Sequence, residues 1–255
     1  MLKRQNYCCT KIMHLCAQTN IQLYAQANKL GYKTEDIYLI SKAYTLTIEA
    51  FSGWFRPSGK TFISHLVGTA SILIDLKAPV DLVCTGLLHA IYAQGNLSSI
   101  KSQHLRQRIY LAFGAKIEEY IHQYTLLKWD HTTLARVHEQ FSILDNLDKD
   151  VVLIRLVNEL EECSESKYLK YSSHEVAMMA SMAEQLGFSE FASEIRVAFS
   201  KEHSDDNFST TGQNLYSQRE SGSYLVVPIT CMKKPWLQGK NFLYRKLKPL
   251  LNLGV

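Results

Sequence analysis

Between Asn20 and Glu202 the apolar residues of this chain recur at three- and four-residue steps, and no stretch alternates apolar with polar between hairpin turn signals. That period lines apolar side chains along one face of a helix, whereas a half-buried strand needs a period of two. Ile37, Ile40, Tyr44, Ile48 and Phe51 form a first stripe, with Thr34 placed to cap it. Leu66, Ala70, Leu73 and Ile74 form a second, closed by Pro79. Asp81 can cap a third helix that carries Leu82, Leu87, Leu88 and Ile91 and ends near Gly95. Val151, Ile154, Val157 and Leu160 mark another, and Val176, Met179, Ala180, Ala183 and Leu186 one more, with Gly187 as its stop. There is no internal repeat. The expected fold is an all-α multi-helix bundle.

With 46% hydrophobic and 20% charged residues over 255 positions, the chain can bury a large core and is neither disordered nor collagen-like. No apolar run approaches the ~20 residues of a membrane-spanning helix. Lys3 and Arg4 are followed by no continuous apolar stretch and no small-residue cleavage site, so no signal peptide and a cytoplasmic location are expected. The six cysteines then read as free thiols. Cys8, Cys9, His14 and Cys16 are close enough to suggest a metal site, but no paired C-x-x-C exists. Adventitious thiols in an N-terminal segment, 1–19, are the simpler reading.

The net charge of +4 is unevenly spread. Ser221 to Val255 holds six basic residues (Lys233, Lys234, Lys240, Arg245, Lys246, Lys248) and no acidic one, which leaves 22 basic against 24 acidic in the rest. A body without a basic face of its own argues against nucleic-acid binding. The expected organisation is therefore a helical domain at 20–202, a polar linker at 203–223 and a poorly ordered basic amphipathic tail at 224–255. The tail can attach to an acidic membrane surface or a protein partner, or fold back on the acidic body. An apolar helix face can serve as core or as the interface of a homo-oligomer.

The nucleophile-elbow, phosphate-loop, dinucleotide and zinc-protease signatures are all absent. Four other segments stand in order: Arg56-Pro57-Ser58-Gly59-Lys60-Thr61-Phe62-Ile63-Ser64-His65; then Gly86-Leu87-Leu88-His89-Ala90 within an apolar helix; then Phe113-Gly114 with Thr125; then Val152 to Leu160 with Asn158. In this order and spacing the stretch from Tyr44 to Glu162 resembles the HD superfamily, specifically the hydrolase domain of RelA/SpoT-type guanosine tetraphosphate hydrolases. Its R-P-S-G-K-x-F-I-x-H and G-L-L-H-A runs also look like a group of bacterial HD-like domains without assigned function.

The resemblance implies a bundle in which two histidines and two aspartates hold one divalent metal, usually manganese, that activates water against a phosphate. His65 and His89 fall on the two metal histidines. The aspartate beside the second is Ala90, the Glu-Asp pair that moves protons becomes Ala93 and Gln94, and the late aspartate becomes Asn158. Loss of both anionic ligands lowers metal affinity, and loss of a proton-transfer pair forfeits ~10²–10⁴ in rate. What the resemblance leaves is a binding pocket: Arg56 in the place of a base-stacking arginine, and Ser58 and Lys60 in the loop beside it. Tyr92, three residues after His89, can offer a hydroxyl. The expected ligand is a nucleotide or phosphorylated small molecule in a regulatory, non-catalytic role. The alternatives are a manganese phosphohydrolase with a substituted ligand and a helical interaction scaffold. Glu159, Glu161 and Glu162 could supply that ligand, although a solvated helix face explains them more simply.

Overall fold

A computed structural model describes residues 16–56, 59–99, 102–163 and 171–199. Residues 1–15 with Cys8, Cys9 and His14, the loop position Ser58, and the segments expected as linker and basic tail lie outside the described residues. Ten α-helices make up the rest: α1 (Asn20–Lys29), α2 (Thr34–Phe51), α3 (Phe62–Asp75), α4 (Val80–Leu88), α5 (Ser102–Phe113), α6 (Ala115–Leu126), α7 (His131–Gln140), α8 (Asn146–Cys163), α9 (Ser173–Gln185) and α10 (Ser189–Phe199). Among the described residues the extended pairing amounts to a single antiparallel bridge, Phe55 with Thr61. The all-α bundle expected from the apolar period is the fold observed.

Helix α3 is the centre. Every residue from His65 to Ile74 is buried, and a helix closed off all round must sit among other helices. It packs against α1, α4 and α8, while α4 also contacts α2 and α6. The antiparallel pair α9 and α10 closes the other end against α7 and α8. Between α9 and α10 the chain reverses at Gly187, whose φ of +87° suits glycine and lets Phe188 N–H reach the Ala183 carbonyl at 3.0 Å. No helix among the described residues is long and apolar enough to cross a membrane.

Several expected boundaries move. Thr34 is the first residue of α2 and Lys33 precedes it as the cap, its N–H donating to Asp36 Oδ2 at 3.0 Å. Asp81 sits inside the first turn of α4 behind Pro79 and pairs with Lys116 at 2.9 Å. Helix α4 stops at Leu88 and does not run on to Gly95. His89 Nδ1 takes the Gly86 carbonyl at 2.8 Å, which a continuing helix would give to the amide of Ala90, and the chain tightens into turns. His89 is thus a helix-end residue and not an interior one. The N-terminal segment also ends earlier than residue 19: Ala17 is buried and its N–H donates to Ser71 Oγ at 2.8 Å. Cys16 packs beside it, its thiol pushed up to about 12 by burial and by the Glu161 and Asp75 carboxylates.

Candidate functional site

The ends of α3, α4, α6 and α8 converge under the loop that joins α2 to α3. That loop folds back on itself: Arg56 N–H donates to the Lys60 carbonyl at 2.9 Å, Gly59 N–H to the Arg56 carbonyl at 2.9 Å, and Phe62 N–H to the Trp54 carbonyl at 2.9 Å. The Thr61 hydroxyl then caps α3 by accepting from Ser64 N–H at 3.2 Å. The loop thereby projects Arg56 and Lys60 toward the last turns of α8, where Glu159, Glu161 and Glu162 stand.

Those glutamates do not form the solvated face expected of them. Glu159 and Glu161 are 1% and 3% exposed, and each of the three acids meets a cation. Arg56 pairs with Glu162 at 2.7 Å. Glu161 receives both the Lys60 ammonium and His65 Nδ1. Arg155, one turn back on α8, pairs with Glu159 at 2.6 Å, and Tyr171 donates to the same carboxylate at 2.8 Å. Unpaired buried charge is prohibitive, so this pairing is what allows two acids to be buried, and a third half-buried, within one helical turn. Burial pushes the Glu161 carboxyl up, with Lys60 opposing. Burial also acts on Glu162, but Arg56 and His65 outweigh it and hold that group below its ordinary range.

Helix α3 makes room for this arrangement at Gly68. A Cβ there would lie 2.6 Å from Glu161 Oε1, so a larger residue would push the carboxylate off His65 and Lys60.

Beside the ion pairs lies a cavity of about 200 Å³. Its described wall holds Arg56, His65, His89, Tyr124, Arg155, Asn158 and Glu162, with Phe62, Ala90, Ala93, Gln94, Thr125 and Leu127 filling the gaps. The two imidazoles stand 5.6 Å apart edge to face, and His89 is 4.8 Å from the Tyr124 ring. Arg155 Nη1 donates to the Tyr124 hydroxyl at 3.1 Å, and its buried Nε has no hydrogen-bond partner among the described residues. Burial, reinforced by the positive charge of His65, takes His89 down to about 3, so it is neutral at physiological pH. Its Nδ1 proton goes to the Gly86 carbonyl, which leaves the lone pair on Nε2.

Of the residues picked out in the sequence, Arg56, His65, His89 and Asn158 come together on this wall. Lys60 is adjacent but spent on Glu161. Tyr92 is placed elsewhere: its hydroxyl donates to Glu118 at 2.9 Å in a cluster with Arg106, away from the described wall. The sequence reading passed over Arg155 and Tyr124, and gave Glu161 only as one of three substitute metal ligands. Only Arg155 carried a signal, as a charge set between Ile154 and Leu156 in an apolar run, four residues before Glu159.

A divalent-metal centre does not fit these donors. Two guanidinium groups share the wall, and the one carboxylate among its described residues, Glu162, is taken by Arg56 and by Asn158 Nδ2 at 3.3 Å. Among the described residues no three His, Cys, Asp or Glu side chains gather closely enough to hold a metal ion. What faces the cavity instead is two guanidinium groups, each shared with a glutamate of α8.

Residues 49–128 match a family model described as a domain of unknown function (DUF6817). The matched third of the chain runs from the end of α2 to just beyond α6. It therefore carries the Arg56 loop, His65, His89 and Tyr124, and stops before the α8 half of the site.

Proposed function

We propose that this chain binds a nucleotide or phosphorylated small molecule in the cavity between Arg56 and Arg155, in a regulatory and not a hydrolytic role, on a scaffold descended from the HD superfamily. The observation that carries the reading is that two guanidinium groups from separate elements line one cavity together with the two histidines that the resemblance picks out. Guanidinium forks match phosphate geometry and form its strongest hydrogen bonds. The carboxylates that a metal hydrolase needs are replaced by Ala90, Ala93, Gln94 and Asn158. The three described cysteines, Cys16, Cys84 and Cys163, are free thiols, as suits the reducing cytoplasm in which such a ligand would be met.

The test is calorimetric titration of the full chain with phosphate compounds in the presence of a chelator. Binding should survive chelation, and Arg56→Ala or Arg155→Ala should each weaken it by ~10–100-fold, the worth of a charged hydrogen bond. Binding to none of the phosphate compounds would sink the reading. Near-stoichiometric manganese retained after desalting, and lost in His65→Ala, would replace it with metal-dependent hydrolysis.

A further inference from the structure

The cavity has two chemically different sides. On one, Arg155 and Arg56 bring guanidinium forks that are shared with Glu159 and Glu162. On the other, His89 is buried, with its Nδ1 committed to the Gly86 carbonyl and its ring flanked by His65 and Tyr124. Its Nε2 is therefore a fixed acceptor that makes no hydrogen bond to the described residues. Tyr124 joins the sides, since its ring faces His89 and its hydroxyl accepts from Arg155 at 3.1 Å.

An acceptor on the cavity wall selects a ligand group that can donate to it. An ionised phosphate oxygen cannot, because it is itself an acceptor and belongs on the guanidinium side. A hydroxyl can. Size narrows the choice further. Cavities for drug-sized and cofactor-sized ligands span ~300–1,000 Å³, whereas this one is about 200 Å³. That suits a phosphate on a short carbon skeleton better than one that carries a nucleobase.

We propose that the pocket selects a small hydroxylated phosphate monoester, of the polyol or short-sugar phosphate class, with its phosphate on Arg56 and Arg155 and a hydroxyl donating to His89 Nε2. The inference rests on the phosphate-binding reading above and narrows it. His89 is then the residue that sets specificity, while the arginines set affinity. The role is open to His89 because its other nitrogen is tied back to the helix end, so the ring cannot turn to offer a donor instead.

The experiment is calorimetry on the full chain, with chelator, using inorganic phosphate, glycerol 3-phosphate, propyl phosphate and guanosine 5′-monophosphate. Glycerol 3-phosphate should bind at least ~10-fold more tightly than propyl phosphate, which has the same skeleton without hydroxyls. It should also bind more tightly than the nucleotide. In His89→Phe the gap between the two short esters should close. In His89→Gln, whose amide can still accept at that position, the gap should be partly restored. The native protein alone decides the matter if His89→Phe does not fold. Equal affinity for glycerol and propyl phosphates, or tighter binding of the nucleotide, overturns this inference and leaves phosphate binding standing. Binding of none of the four overturns both.

Discussion

The two ends of the bundle are buried by opposite means. Where α9 meets α10, Met179, Ala180, Met182 and Ala183 close against Phe191, Ala192 and Ile195, with no charge among them. Where α8 meets α3 and its preceding loop, Lys60, His65, Arg56, Glu161 and Glu162 are brought in together. Apolar closure stabilises by removing surface from water, about 25 cal/mol per Å². Paired charges lose most of their mutual attraction to desolvation, and apolar replacements are often as stable. The first end holds the fold; the second holds a geometry, and geometry at a cavity wall is what a binding site requires.

Single substitutions at the two ends should therefore look alike in stability and unlike in binding. Phe191→Ala, which empties a fully buried site, and Glu161→Ala, which strands His65 and Lys60, should each cost about 3–5 kcal/mol in denaturant unfolding. Measured at a temperature where both remain folded, phosphate affinity should be retained in the first and lost in the second. Equal loss in both would erase the distinction.

A smaller effect separates the ends by pH. His89 is held at about 3 when folded against 6.5 when unfolded, so acid protonates the unfolded chain first. The stability this group contributes is present above 6.5 and is lost as pH falls toward 3. Between pH 7 and pH 5 the native protein should lose about 2 kcal/mol that His89→Gln does not lose. Parallel profiles for the two proteins would mean that the imidazole is not the buried neutral base described.

The smallest effect belongs to the outer edge of the apolar end, where exposed His131 meets Glu175 at the start of α9. Glu175 raises the His131 value, so this bridge contributes below the ordinary histidine range and fades as pH rises through the raised folded value. The difference in Tm between native protein and His131→Gln should be slight at pH 6 and vanish by pH 9. A difference that grew with pH would reverse the assignment.

The apolar end was legible in the sequence because period and punctuation say nearly everything about it: Met179, Ala183 and Leu186 on one stripe, with Gly187 to stop it. The polar end was legible only in part. Arg56, His65 and His89 stood out by their order and spacing, and Asn158 with them. Glu161 read as surface because a carboxylate is seldom buried, and nothing local reveals that Lys60, about a hundred residues earlier, will neutralise it. Tyr92 was misplaced for a related reason. Its spacing from His89 presumed a continuing helix, and the helix ends at Leu88 when His89 takes the Gly86 carbonyl.

The acids of α8 have one more consequence. Glu159, Glu161 and Glu162 sit at the carboxyl end of their helix, with no basic residue in its last turn. There the macrodipole is negative and further negative charge opposes helix formation. A peptide spanning Asn146 to Cys163 would fray at that end. In the intact chain the turn winds because Lys60, His65 and Arg56 arrive from elsewhere to neutralise it. The last turn of α8 thus forms together with the loop that covers it, and an anion that draws Arg56 away from Glu162 would loosen the helix end it binds beside.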